Sequence, residues 1–353
     1  MDDEIEKIGS GHFFYAILVF VFVWGSLWVS TNGVSIARNY GEIHIQNANV
    51  SSVDNINSIP TVISPTPTPE PQSSLTIMIG GDLMLDRGIR LVGEKYGYNS
   101  LFATVTPLFE QADIVVANLE GPITSNKSKT VLANGKTNKE MLFTFNPKSV
   151  KALASSSIDV VSLANNHTDN FGITGLNETK KWLKSVGIKW FGDPGNASST
   201  GLVIDKNKIK VAFVGYHAFR KGFERTLNEI RALSNQGNFV IVMPHWGDEY
   251  ATSSSPIIHT QAREFVSAGA NVIIGAHPHV VMDRVWMGDV PVIYSLGNLL
   301  FDQHFSPEVM KGNIAELKLI KTNGTVRLEK VRIYETSIAS KRGISVNMDP
   351  VDF

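Results

Sequence analysis

The sequence predicts an α/β domain over residues 75–353, held behind an N-terminal membrane anchor and a stalk. Six short apolar, β-rich runs each end in polar residues or Gly. Between several of them lie segments with helical periodicity. Strands alternating with helices imply βα units and a largely parallel arrangement, with ligands beyond the carboxyl ends of the strands.

The anchor comes first in the chain. After a tail at 1–12, residues 13–30 form the candidate span, whose apolar run Phe13–Val29 is broken only by Gly25 and Ser26. At about 1.5 Å per residue this is at the short end of a membrane-crossing helix. Tyr15, Trp24 and Trp28 suit interfacial positions. A cleaved signal peptide is the rival, with Ser35-Ile36-Ala37 as its cleavage site. The run is long for a signal, however, and the leader "MDDEIEK" is acidic, so an uncleaved anchor is the reading adopted. Residues 31–74 follow as a stalk rich in Ser, Asn, Pro and Thr. Its "PTPTPEP" segment favours extended polyproline geometry.

The six runs are "LTIMIGGDLML", "ADIVVANLEG", "SIDVVSLANNHTDNFG", "KVAFVGYH", "NFVIVMPHWGDEY" and "NVIIGAHPHV". Leu176, Trp182, Leu183 and Val186 mark one amphipathic helix face, and Ile258, Ala262, Phe265 and Val266 mark another. In the tail, Asn323-Gly324 between alternating runs signals a two-residue hairpin.

Bulk composition narrows the chemistry. Lys+Arg 32 against Asp+Glu 33 leaves a net charge of −1, so no global field draws in nucleic acid. Cysteine is absent, which removes disulfides, zinc-thiolate sites and thiol nucleophiles together. Any metal must therefore be held by His, Asp, Glu, Asn or backbone oxygen.

Each polar strand end has an ordinary reading when taken singly. Gly-Asp after a strand is usually a turn, Asn165-Asn166-His167 can cap the following helix, and a lone His245 can be a hydrogen-bonded structural residue. His277-Pro278-His279 is stronger, because alternate residues on an extended segment point the same way and can share one centre. Together the runs deliver Asp82, Glu120, Asn166 with His167, His245, and His277 with His279. Two carboxylates with several imidazoles and no thiolate suit Mn, Fe or Zn. A bridging carboxylate would hold two such ions about 3.5–4 Å apart, the geometry of phosphoester hydrolysis.

In order and spacing, "GGDLML", "ANLEGPIT", "SLANNHTDNFG", "HWGDEY", "GAHPHV" and "YSLGNLLFD" resemble the CapA family of capsule-synthesis proteins. That family is called the PgsA type in poly-γ-glutamate producers and is similar to the calcineurin-like metallophosphoesterases. The likeness runs from about Thr76 to Asp302. It implies a four-layer α-β-β-α sandwich with two mixed sheets carrying the site at their edges. It also implies a single-pass protein of the cell membrane with its domain on the extracytoplasmic side, beside membrane subunits of a capsule synthase.

Carried over by position, Asp82, Glu120, Asn166, His245, His277 and His279 match metal ligands, and His167 matches the catalytic partner of Asn166. Two departures stand out. Met84 occupies the place of an expected histidine, and a thioether is a poor ligand for hard cations, so one metal position is weakened or empty. Asn118 competes with Glu120 for the second motif position. Arg87 is either an anion-binding catalytic residue or a solvent-facing residue of the first helical turn. Tyr294, Ser295 and Asn298 either orient the site or merely form a strand-to-turn junction. The functional readings are a component of capsule or poly-γ-glutamate production, a surface phosphoesterase acting on a phosphoester or anionic polymer, and a binding module with a structural metal.

Overall fold

The computed structural model describes residues 73–196, 201–338 and 343–353. The candidate anchor and the stalk as far as residue 72 lie outside the described residues. Among the described residues no helix is long and apolar enough to cross a membrane.

The chain opens with β1 (Ser73–Leu83), α1 (Arg87–Tyr96), α2 (Thr106–Phe109), β2 (Ile114–Leu119), α3 (Ser149–Ser155), β3 (Val160–Ser162), α4 (Gly172–Ser185) and β4 (Lys189–Phe191). It continues through β5 (Leu202–Lys206), β6 (Ile209–His217), α5 (Phe223–Asn235), β7 (Phe239–His245), α6 (Pro256–Ala268) and β8 (Val272–Ile274). The remaining strands are β9 (Arg284–Met287), β10 (Val290–Ile293), β11 (Asn298–Leu300), β12 (Lys311–Thr322), β13 (Thr325–Ser337), β14 (Ser345–Val346) and β15 (Val351–Asp352). One sheet runs β14-β13-β12-β1-β2-β3-β4, with β11 also on β1 and β15 on β13. The other runs β5-β6-β7-β8-β10-β9.

Side-chain alternation along the strands decides the layering. Met78, Val115, Ala117 and Val161 pack with Ile89, Leu153, Leu176 and Leu183 from the helices α1, α3 and α4. Their neighbours Ile77, Ile79, Val116 and Val160 face the opposite way and pack against Val211, Phe213, Ile241 and Val272 of the second sheet. The far side of that sheet, through Val214, Val242 and Ile273, covers Leu227 and Ile230 of α5 and Ala262 and Phe265 of α6. The described domain is thus helices, sheet, sheet, helices.

The arrangement is mixed rather than largely parallel. β1–β4 and β6, β7, β8 and β10 are parallel, but the tail hairpin adds β12 antiparallel to β1, and β5 and β9 are antiparallel edges. That hairpin turns at Asn323 and Gly324, both at positive φ (51° and 79°), as a two-residue turn between twisted strands requires. Ser73 and Ser74, assigned to the stalk from composition, are the first residues of β1, because their backbones register with Lys321 and Ile320 of β12.

Two glycines set the site end of the sandwich. The β1–β2 register shifts between Ile79 and Asp82, and a Cβ at Gly81 would lie 1.9 Å from the Gly297 carbonyl oxygen. Only glycine permits that approach, and the irregularity aims Asp82. At Gly215 a Cβ would come within 2.8 Å of both Ala164 and Gly192, so the sheets close tightly where their strands end.

Candidate metal centre

The strand-end residues converge. Asp82 and Asn118 are register partners on β1 and β2, and Asn118 Nδ2 donates to Asp82 Oδ1 at 2.7 Å. Glu120 follows β2 directly. His245 ends β7, with Nε2 at 2.8 Å from Asn166 Oδ1 and 3.1 Å from His277 Nδ1. His279 Nδ1 lies 3.3 Å from Asp82 Oδ2, and its Nε2 lies 3.6 Å from Glu120 Oε1. Two groups of potential ligand atoms result, each lying within 4.8 Å of one another: Glu120, His245 and His277, and Asp82, Glu120 and His279. All five residues are buried.

The His-Pro-His segment does not act as the extended-strand argument supposed. β8 stops at Ile274, and His277 and His279 both take positive φ, 100° and 60°. Side chains other than glycine reach this region at a cost of about 1–3 kcal/mol, and such strain concentrates at functional sites. The twist sends the two rings to different ligand groups, with centroids 6.1 Å apart. They fall in two neighbouring ligand groups rather than one.

Glu120 belongs to both groups. It is fully buried, and neither carboxylate oxygen has a hydrogen-bond partner. Burial, then the adjacent Asp82 charge, push its carboxyl well above the usual range. An orphaned buried carboxylate is costly unless a cation meets it. Asp82 behaves oppositely. Burial pushes it up, but hydrogen bonds and charge from His279, with help from Asn118 and the His277 N–H, hold it below its ordinary value. The structure thus favours Glu120 over Asn118 for the shared position, while Asn118 orients Asp82. Carboxylate, imidazole and amide donors of this kind fit hard or borderline divalent cations.

Burial also favours the neutral form of four imidazoles, the form that ligates metals. It holds His167, His217 and His277 down to about 4, and His245 well below its usual value. A histidine whose folded value is depressed leaves the unfolded chain binding more protons, so stability falls as pH drops from about 6.5 towards 4. Asp82 loses its own contribution only at lower pH, below its ordinary value of 3.8. Glu120, whose carboxyl is raised, works the other way in the same window, but four depressed histidines outnumber it, so thermal melts of the chelated protein should show Tm decreasing as pH falls. Flat melts would contradict the assigned burial.

His167 sits at the edge of this cluster. Its ring lies 4.4 Å from Phe143, and Asn170 Nδ2 stands 3.1 Å from its Nδ1. Asn165 shapes the turn: its amide donates to Asn118 Oδ1 and the Leu119 carbonyl, while its own oxygen accepts from the His167 N–H and Thr168 hydroxyl. None of these residues caps α4, whose N-cap position is Phe171. Arg87 is the first residue of α1 and is ion-paired to Asp302 at 3.2 Å, outside both ligand groups. Met84 is buried in the helix-side core, with its sulfur accepting the Asp86 N–H at 3.0 Å. Asn298 does orient the site, through its oxygen 3.0 Å from His279 Nδ1 and its amide on the His279 carbonyl at 3.2 Å. His217 was missed from sequence. It ends β6 in register with His245, and that shared strand-end position was the available signal.

A two-sheet α/β domain with buried carboxylates and histidines gathered at its strand ends is the class that fold and site define. Residues 76–303 match the family model described as bacterial capsule synthesis protein PGA_cap. The chain is 30% identical over 268 residues to the PGA biosynthesis protein CapA of Bacillus subtilis (strain 168), covering 70% of this chain and 68% of that protein. It is 29% identical over 278 residues to the capsule biosynthesis protein CapA of Bacillus anthracis, covering 73% of this chain and 66% of that one, just under two thirds of its length. Among solved structures, the calcineurin-like phosphoesterase YfkN from Bacillus subtilis is 17% identical with a TM-score of 0.49, over 77% of this chain and 93% of that one. This chain belongs to the PGA_cap family of bacterial capsule synthesis proteins.

Proposed function

We propose that this protein is a membrane-anchored, extracytoplasmic component of poly-γ-glutamate capsule production whose strand-end cluster is a two-metal phosphoesterase centre. The observation that carries the centre is Glu120, buried, without a hydrogen-bond partner at either oxygen, and common to both ligand groups. Asp82, Glu120 and His279 would hold one divalent ion of the Mn, Fe or Zn type. Glu120, Asn166, His245 and His277 would hold the other. With Met84 in the core, the first position has one ligand fewer, and it is the weaker of the two. The apolar run Phe13–Val29 supports the tether, and the capsule and PGA biosynthesis roles of the Bacillus relatives support the capsule role.

A bound metal pair supplies positive charge for phosphoryl oxygens and acidifies water at the site. Asp82 is held ionised by its hydrogen bonds, and burial holds His245 and His277 neutral, so these three are ready to ligate near neutral pH. His167 stands beside the pair, positioned by Asn170 and covered by Phe143, and exchanges a proton with the leaving oxygen. Because burial keeps it neutral, an anionic substrate is needed to favour its protonated form. Finished poly-γ-glutamate is joined by amide bonds, so the phosphoester substrate is a different molecule.

The full chain, loaded with Mn, is expected to hydrolyse a model phosphodiester and to lose about 10²–10⁴-fold in kcat for His167→Ala with metal content kept. External protease should reach the domain in intact cells while the protein fractionates with membranes. Metal-independent turnover, or a His167→Ala variant as active as the parent, would remove the catalytic reading. Cytosolic fractionation would remove the tether.

A further inference from the structure

Next to the metal centre lies a cavity of about 190 Å³ that the proposed chemistry leaves unused. Its wall is the β6–α5 loop and the first turn of α5, which contribute His217, Arg220, Lys221 and Arg225. No acidic residue among the described residues lines it. One carboxylate does stand close by, since Asp169 accepts from Arg220 Nη2 at 2.5 Å. Even with Glu224 in the same six-residue stretch, Arg220, Lys221 and Arg225 leave an excess of positive charge, in a chain whose overall charge is −1. The basic character is local to this site.

The same loop touches the metal centre. His217 and His245 are register partners on adjacent strands, with rings 6.1 Å apart, and His217 Nδ1 is buried with no hydrogen-bond partner. Phe219, exposed on that loop, lies 4.5 Å from the His277 ring. A molecule with one group at His245 and His277 therefore has its next substituent beside the cavity.

We propose that this cavity is a subsite for a second oxyanion, a carboxylate or phosphate, carried by the substrate a short arm away from its reacting phosphoester. The Arg forks and the Lys ammonium give such a group charge-assisted hydrogen bonds, and a concave, one-signed wall focuses their field. The cavity admits one compact anionic group, so this subsite selects substrates with two separated anionic centres over simple monoanionic diesters. The position of the reacting group rests on the phosphoesterase reading. The anion affinity of the cavity does not.

The test is calorimetric titration of the full chain, stripped of metal with chelator, using glutarate in one arm and inorganic phosphate in the other. Lys221 and Arg225 are both exposed, so Lys221→Gln/Arg225→Gln should fold normally. Saturable binding of at least one anion, weakened about tenfold or more in the double variant, is expected. Tighter glutarate binding identifies a carboxylate arm, and tighter phosphate binding a phosphate arm. If neither anion saturates, or the variant binds like the parent, the subsite is overturned. Turnover of the metal-loaded parent is scored separately. Its absence removes the phosphoesterase reading and leaves the anion result intact.

Discussion

Glu120→Gln is expected to empty both halves of the metal centre and, at the same time, to make the metal-free protein more stable. The carboxyl group is completely buried, lacks a partner at either oxygen, and lies beside the ionised Asp82. An unsatisfied buried polar group costs about 1–3 kcal/mol, more if charged. Glutamine keeps the volume, makes the side chain permanently neutral without having to take up a proton, and offers Asp82 a donor. The gain in chelator should therefore be about 1 kcal/mol or more in denaturant unfolding. Since Glu120 is common to both ligand groups, elemental analysis of the reconstituted variant should find neither ion at full occupancy. A variant that keeps its metal, or that is less stable than the parent in chelator, would show that Glu120 is structural.

Asp86→Ala should be the most damaging single change outside the centre. Asp86 is fully buried. Its Oδ1 accepts from Arg90 Nε at 2.7 Å and Ser128 Oγ at 2.9 Å, and its Oδ2 accepts from the Thr144 N–H at 3.0 Å. Arg90 also binds the Thr144 carbonyl. Together they fasten the long β2–α3 connection, whose Met141 carbonyl and Phe143 ring contact Asn170 and His167. Removing one partner of a buried ion pair strands the other, at about 3–5 kcal/mol. Urea unfolding should register a loss of that size, with looser packing around His167. A loss below about 1 kcal/mol would mean that Arg90 finds another partner.

These two residues also show where the sequence was readable. Glu120 was legible because a run of apolar residues ending in a carboxylate recurs beside other such runs, and strand ends in α/β sheets gather on one side. The same logic placed Asp82, His245 and His277. Asp86 was not legible. In "LDRGIR" the Asp86 and Arg90 pair looks like any exposed i,i+4 pair on a helix start. Its burial comes from a distant connection folding over it, and no local pattern announces that. The His277-Pro278-His279 pair was placed at the right strand end with the wrong geometry. An extended backbone was assumed, whereas both histidines sit at positive φ and part to different ligand groups. Likewise, nothing in the sequence marked Met84 as a core residue whose sulfur accepts the Asp86 N–H. Antiparallel partners for β1 were hidden because the tail that supplies them lies more than two hundred residues away.

The central claim is that the strand ends build a paired metal centre in which His277 and His279 serve different ions. Its most direct test is metal counting on the reconstituted full chain beside the single variants His277→Ala and His279→Ala. About two ions are expected in the parent and about one in each variant, with His279→Ala sparing the ion held by His245 and Asn166. No metal in the parent after reconstitution, or loss of both ions in both variants, would contradict it.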